Sequence, residues 1–365
     1  MESIAVTNRD NYWWGRFIGG VKALVNDLFE IRDLTLSLFS YQDRINKNEN
    51  RGFMRAELLK QYEKELIYEV SLSADGVGKT TAGALAEYFD SFDDFIKADE
   101  RGLSKVVNSK GKSILSDDKA KGIVSVKREI PPGLKVTEAW IYFLAKQFIR
   151  NQVASLQKMQ FDDIDINPLL AKVLVLQTPA DIIRFNIYQS VTRSVVTSWG
   201  SMVEKMLKFS GCELEEFKVG IKGREPDLVK RYQGKTYCFQ IKSGPNTMNV
   251  DMVESLNKVI DEIEKKGYVG LLGMTYGRKD RVSQQILGNL KGAETRTKIG
   301  RELWDFISET QDYHRKVIGI IDDATKKEMR TSYIKLIEDK VDEFTGVWQE
   351  KYSGVSINKI LEEYI

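Results

Sequence analysis

Asp227-Leu228-Val229-Lys230-Arg231-Tyr232-Gln233-Gly234-Lys235-Thr236-Tyr237-Cys238-Phe239-Gln240-Ile241-Lys242 is the stretch on which the reading of the fold turns. Asp227–Tyr232 and Thr236–Ile241 read as short strands, and Gln233-Gly234 reads as the turn that joins them. Strand side chains alternate with period two, so Gln240 and Lys242 share one face near the end of the second strand, and Asp227, which opens the first, joins them there. A carboxylate, a carbonyl-bearing amide and an ammonium thus converge. A hard cation such as Mg²⁺ takes oxygen ligands, and Asp227, the Gln240 amide oxygen and the main-chain carbonyl of Ile241 offer them. Lys242 is then placed to hold or polarise a water attacking a phosphate.

Working outward, the residues on either side extend this hairpin into a larger domain. Helical patterns at Thr137–Met159 and Pro179–Phe209 lead into a short strand at Lys218–Ile221, then the hairpin, a helix at Val250–Lys266 and a strand at Tyr268–Tyr276. Helix, β-meander, helix and strand in that order predict an α/β (α+β) domain with a mixed sheet flanked by helices.

The segment Ile182–Ile307 resembles the PD-(D/E)xK type II restriction endonucleases, through Thr197-Ser198-Trp199-Gly200-Ser201-Met202-Val203-Glu204, the Asp227 and Gln240-Ile241-Lys242 pair, Ser243-Gly244-Pro245-Asn246 and a closing Ile299–Ile307. The resemblance implies catalytic roles for Asp227, Gln240 and Lys242, with Mg²⁺ as the working cation and Mn²⁺ as a substitute. Gln240 departs from the family's usual Asp or Glu and removes one negative charge from the metal site. A compensating acid is therefore expected. Glu204, on the helix before the sheet, is preferred, with Trp199-Gly200 expected to break that helix and aim it; Glu254, on the helix after Lys242, is the alternative. Ser243, Asn246 and Asn249 follow the lysine and offer side chains to phosphate or to an adenine edge, although Asn249 serves equally as a helix N-cap. Arg278, Lys279 and Arg281 make the next loop either a DNA-contacting loop or a surface charge run. The amphipathic Lys335–Lys351 reads as a core-covering or dimer-forming helix.

A second glycine-bearing motif stands upstream, in Leu72-Ser73-Ala74-Asp75-Gly76-Val77-Gly78-Lys79-Thr80-Thr81-Ala82. Glycines at the start of an apolar-periodic helix let main-chain N–H groups approach an anion. A Walker A loop does not fit, because its first glycine would fall on Ser73. The stretch resembles the helix-hairpin-helix family through Gly76-Val77-Gly78, Ala82, Leu85, Phe89, Phe92, Phe95, Ala98 and Leu103. That resemblance implies sequence-independent binding of DNA phosphates by Gly76, Gly78, Lys79 and Thr80, with Lys105, Lys110, Lys112, Lys119 and Lys121 adding charge. The alternative is a turn that only packs two helices.

Composition narrows the chemistry. One histidine and two cysteines in 365 residues exclude multi-cysteine zinc sites, HExxH metal sites and paired-histidine catalysis. Cys212 and Cys238 read as small buried hydrophobes. Fifty-five basic against 53 acidic residues give a formal charge of +2, so any nucleic-acid surface must be a local cluster. No apolar run approaches the ~18 residues of a membrane span, and no targeting segment is evident, so a cytoplasmic, prokaryotic protein is expected.

Length suggests two or three units, read as a helical region at 1–60, a helix-hairpin-helix module at 61–130 and a nuclease domain at 134–365, with Pro131-Pro132-Gly133 in the linker. The partners implied are double-stranded DNA, a second copy of the chain in a homodimer, and a companion DNA methyltransferase. Two further readings stay open at this point: a structure-specific repair or junction nuclease, and a non-catalytic DNA-binding protein whose site decayed through Gln240.

Overall fold

The computed structural model describes residues 55–108, 110–214 and 225–364. The helix expected within Trp13–Phe39 and the strand expected at Lys218–Ile221 lie outside them. Residues 60–365 form one compact unit.

Its first part is all-helical. Residues 55–72 are helical (α1), followed by α2 (Lys79–Tyr88), α3 (Phe92–Lys97), α4 (Glu100–Ser104) and α5 (Asp117–Arg128). Seven residues of connection, 129–135, lead past Pro131 to the helical scaffold of the second part: α6 (Val136–Lys158), α7 (Pro168–Val173) and α8 (Pro179–Lys208). Helix starts are written in the sequence. Ser91, Asp99, Ser116 and Asn167 each accept a main-chain N–H at a helix start, and Thr178 does so in a reciprocal box with Asp181. Helix α2 differs, since its N-cap is Gly78 and no side chain closes its first turn.

The sheet follows. Strands β1 (Leu228–Tyr232) and β2 (Lys235–Lys242) form the expected hairpin, then come α9 (Val250–Lys265) and β3 (Val269–Met274). Helices α10 (Gln284–Asn289) and α11 (Ala293–Arg296) lead to β4 (Thr297–Ile299), and α12 (Arg301–Ser308), α13 (Tyr313–Glu328), α14 (Tyr333–Lys351) and α15 (Ile357–Glu362) complete the chain. The strand order is β1-β2-β3-β4, antiparallel between β1 and β2 and parallel from β2 to β4. The fold is therefore a helical N-terminal part followed by a mixed sheet with flanking helices, as the sequence predicts. Gln233 and Gly234 both take positive φ, 50° and 73°, which is the twist a two-residue hairpin needs.

The two sheet faces divide by parity. Val229 and Cys238 pack with Val259 and Ile263 of α9. On the other face Tyr232, Tyr237 and Phe239 surround Phe306 of α12 at ring separations of 5.4, 4.9 and 5.9 Å. Gly270 and Gly273 of β3 are backbone-close to α9 and α12 respectively, because a Cβ at either would strike Ile260 or Ile241 and Leu303. Both cysteines are buried and unpaired. Helix α14 lies over α8, with Ile337, Val341, Phe344 and Trp348 buried against Ile183, Ile187 and Val191, so this amphipathic segment covers a core. Among the described residues no helix is long and apolar enough to cross a membrane.

Helix α8 corrects one expectation. It runs without interruption from Pro179 to Lys208, so Trp199-Gly200 is no break. One glycine costs a helix only ~1 kcal/mol, and Trp199 is held edge-on against Phe148 of α6 at 5.3 Å. The far end of α8 is closed by α1. Tyr62, fully buried, donates its hydroxyl to the carbonyls of Lys208, at 2.8 Å, and Cys212, while the Tyr62 carbonyl accepts from Trp140 Nε1 at 2.9 Å. Trp140 in turn stacks on Phe209 at 3.6 Å. Replacing Tyr62 by phenylalanine keeps the ring and leaves the Cys212 carbonyl without its donor, so Tyr62→Phe is expected to lower unfolding free energy by about 1–2 kcal/mol. Urea unfolding followed by circular dichroism checks this; an unchanged midpoint would show that the hydroxyl is not what closes α8.

Candidate active site

The hairpin register sets Asp227 opposite Gln240, one step beyond the Leu228↔Phe239 pair. Asp227 N–H donates to the Phe239 carbonyl at 2.8 Å. Its Oδ2 accepts from Ile241 N–H at 2.6 Å and from the Gln240 amide. N–H and C=O of one strand residue point to the same side, so the Ile241 carbonyl also faces the Asp227 side of β2, past the point where β1 begins. Asp227, Gln240 and Ile241 are thus bonded neighbours at the end of the hairpin, each carrying an oxygen able to ligate a cation. Lys242 lies two residues beyond Gln240 on the same face and is half-buried.

Glu204 joins this group from α8. Burial pushes its carboxyl up from the ordinary range, and the negative charge of Asp227 pushes it further, while Lys242, Lys208 and Lys205 pull it down. Asp227 is likewise raised by burial, against the Ile241 N–H, Lys242 and Gln240, which favour its charged form. Two carboxylates that burial and mutual repulsion disfavour, beside a main-chain carbonyl and an amide oxygen, form a donor set that fits a hard divalent cation. Glu254, the alternative acid, is exposed on the second turn of α9 and makes no described contact with Asp227 or Lys242.

The position of Glu204 is fixed from the chain just beyond it. Gly211, at φ 147°, sits where any side chain would collide with the Ile307 carbonyl of α12. Its own carbonyl accepts from Lys230 Nζ of β1 at 3.1 Å, and Glu213 N–H donates to Val229 of β1 at 2.8 Å. Lys230 is buried and paired with Glu309 at 2.9 Å. Helix α8 is thereby tied to the strand that Asp227 opens.

The loops expected to touch DNA divide into used and unused groups. Asn249 caps α9, its Oδ1 accepting from Met252 N–H at 2.9 Å. The Ser243 carbonyl accepts from Thr275 Oγ1 at 2.8 Å, and Asn246 is exposed. Arg278 pairs with Asp280 at 3.0 Å and Lys279 with Glu302 at 3.1 Å, whereas Arg281 has no ion pair with a described residue. In the helical part, Gly76 takes φ 74° against Lys119 of α5, and Gly78, Lys79 and Thr80 are exposed at the uncapped start of α2. Lys79, Lys105, Lys110, Lys112, Lys119 and Lys121 form no ion pair with a described carboxylate.

The sequence reading did not single out Lys205 and Lys208, whose charges act on Glu204 from one and four positions along α8. It also missed the grouping of Asp305, Asp312 and His314, whose ligand atoms lie within 4.8 Å of one another. Arg301 already sits there, 3.4 Å from Asp305 and 3.2 Å from Asp312, and Tyr313 N–H donates to Asp305 at 3.0 Å. In this ion cluster at the α12–α13 corner Asp305 accepts hydrogen bonds from Arg301 and the Tyr313 N–H, while Asp312 Oδ1 and His314 Nδ1 are buried without one among the described residues.

A mixed sheet whose opening hairpin presents an acid, an amide and a lysine on one face, with a helix-borne glutamate beside them, defines a restriction-endonuclease-like core. The family model of type II restriction endonuclease EcoO109I matches residues 137–329, more than half of the chain, and the chain belongs to that family. No curated protein matches it. The match spans α6 to α13 and includes Glu204, Asp227, Gln240 and Lys242.

The raised carboxyls carry a signed consequence. Because the folded state holds the Glu204 proton more tightly than the unfolded chain, the ionised residue opposes folding, and stability falls as pH rises from the ordinary carboxylate range through the raised value. In EDTA, Glu204→Gln is expected to be more stable than wild type at pH 8, with the gap closing below about pH 4. Urea midpoints across that range measure it, and a variant less stable than wild type throughout would mean that Glu204 is held by favourable contacts instead.

Proposed function

We propose that this restriction endonuclease hydrolyses phosphodiesters in both strands of a specific DNA duplex, with Mg²⁺, or Mn²⁺ in its place, at Asp227. The observation that carries the reading is the gathering of Asp227, Gln240, Lys242 and Glu204 at one end of the β1–β2 hairpin, within the segment that matches the family. This makes the site a PD-(D/E)xK variant in which glutamine replaces the second acid.

Asp227, Gln240 Oε1, the Ile241 carbonyl and Glu204 would hold the cation. When bound, it supplies Lewis-acid stabilisation of charge on the phosphate and lowers the pKa of a coordinated water. Lys242 orients the attacking water and compensates the charge that accumulates on the phosphate oxygens as the new P–O bond forms and the leaving oxygen departs. Gln240 has a second task, since its N–H₂ holds Asp227 in place. Glu204 makes up the charge that Gln240 lacks.

Residues 61–130 act as a helix-hairpin-helix grip and 134–365 as the cutting part. Main-chain N–H groups around Gly76 and Gly78, with Lys79 and Thr80, meet phosphates at the open start of α2, and Ser243, Asn246, Asn249, Arg278, Lys279 and Arg281 border the cutting site. A two-strand cut at a symmetric site needs two active centres related by a two-fold axis, hence a homodimer. A methyltransferase that modifies the same sequence protects the host's DNA in the prokaryotic cytoplasm.

Plasmid digestion in Mg²⁺ tests the function: discrete, reproducible fragments are expected. Structure-dependent nicking would instead indicate a junction nuclease, and a folded protein that binds without cutting in Mg²⁺ or Mn²⁺ would indicate a decayed site. Asp227→Ala and Lys242→Ala are expected to abolish single-turnover cleavage while leaving cognate binding intact. Glu204→Ala should be nearly as damaging and Glu254→Ala mild. Full activity of Lys242→Ala would sink the assignment.

The grip has its own test. Lys79→Glu is expected to weaken binding to all sequences and to flatten its salt dependence, with the cleavage pattern unchanged. Gly76→Val would add strain at a positive φ, so Lys79 is the cleaner site. An altered cut sequence in Lys79→Glu would contradict this division of labour.

A further inference from the structure

The β2–β3 register ends at Lys242↔Met274, where Thr275 N–H donates to the Lys242 carbonyl at 3.0 Å. Just beyond this last pair Tyr276 meets Gly244. The tip of the Tyr276 ring lies over Gly244 so closely that a Cβ there would stand 2.5 Å from both Cζ and the phenolic oxygen. Any side chain at 244 would therefore lift the ring from its seat.

The main chain on either side of Tyr276 is held at several points. Thr275 Oγ1 donates to the Ser243 carbonyl at 2.8 Å, and the Thr275 carbonyl accepts from Trp304 Nε1 at 3.0 Å. Gly277, at φ 114°, is pressed on Pro245, whose carbonyl accepts from Ser283 N–H at 3.1 Å; Gly300 is pressed on the Gly277 carbonyl. Such a seat is what a rigid recognition group requires. Tyr276 nevertheless remains 56% exposed, and among the described residues no hydrogen bond reaches its hydroxyl.

Gly244 is two residues from Lys242, so their Cα atoms are at most about 7 Å apart. The phenolic oxygen thus stands near the reacting group, on a fixed mount and with an open hydrogen-bond capacity. We propose that Tyr276 is a DNA-contacting residue whose hydroxyl donates to a backbone phosphate oxygen next to the one being cut, and that Gly244 is a positioning residue that seats the ring. This rests on the nuclease reading above.

A neutral donor to phosphate carries no base information and displaces no counterion. Tyr276→Phe is accordingly expected to weaken binding of a cognate and a random-sequence duplex alike, roughly ten-fold, with the wild-type salt slope. The loss in cleavage rate at saturating enzyme should be smaller than the loss in affinity. Gly244→Ala should reproduce the affinity loss, and the double variant should lose no more than either single one, because both act through one contact.

Fluorescence anisotropy in Ca²⁺ at three salt concentrations, with single-turnover cleavage in Mg²⁺, measures all of this. Wild-type binding by Tyr276→Phe overturns the hydroxyl assignment, as does a loss confined to the cognate duplex. Additive losses in the double variant overturn the role of Gly244. Failure of the wild-type protein to bind or cut any duplex would instead remove the nuclease reading itself.

Discussion

The last turn of α8 is closed by a tyrosine from a helix about 150 positions upstream, and the candidate site depends on that closure. Tyr62 reaches the carbonyls of Lys208 and Cys212 from α1. Burial raises its hydroxyl pKa well above the usual range, so the group stays protonated and can donate at any physiological pH. A helix end leaves its final carbonyls unsatisfied unless something meets them, and here the donor is shielded by the Trp140–Phe209 stack. Glu204 lies one turn before Lys208. The same few residues therefore end the helix that carries the acid and attach α1, the helix that leads into the Gly76–Gly78 hairpin.

A second tie comes from the opposite direction. Beyond α8 the chain is fixed to β1 through Lys230 and Glu213, and to α12 through the close approach of Gly211 to Ile307. Glu204 and Asp227 are consequently set by elements that each contact the chain between them. Their carboxyls remain ionisable but disfavoured, which is the condition in which a cation gains most from entering. The salt-bridged group of Lys146, Arg150, Glu129 and Glu328, at 2.7–3.2 Å, joins the end of α5 to α6 and α13 and holds the hairpin helices against the scaffold by a separate route.

What the sequence makes legible here is what has a local period or a local cap. The β1–β2 hairpin follows from alternation and from Gln233-Gly234, and α8 and α9 from apolar periodicity with Thr178 and Asn249 at their starts. The gathering of Asp227, Gln240 and Lys242 follows from the same alternation. Glu204 is legible by its place on a helix, but the break imagined at Trp199-Gly200 is not there, because propensity at one glycine yields to packing over thirty helical residues. The seating of Tyr276, the closure by Tyr62 and the pairing of Lys279 with Glu302 leave no local pattern, since each joins residues remote in sequence. Charge runs are the least legible of all. Arg278 and Lys279 read equally as a DNA-contacting loop or a surface charge run, and nothing local announces the exposed ion pairs they make with Asp280 and Glu302.

Gln240 is best understood through the bond it makes. Its N–H₂ donates to Asp227 Oδ2, and a glutamate in that rotamer would place an oxygen against an oxygen unless it carried a proton. With Asp227 and Glu204 already repelling one another, a third carboxylate would add charge to a pocket in which burial penalises each one. The amide supplies a donor to Asp227 and adds no charge. On the proposed nuclease reading, the charge that a glutamate would contribute at 240 is carried instead by Glu204 on a separate helix, where Lys205 and Lys208 temper it. The consequence is that the electrostatics of this site answer to the position of α8, and through Tyr62 to α1, rather than to the β hairpin alone.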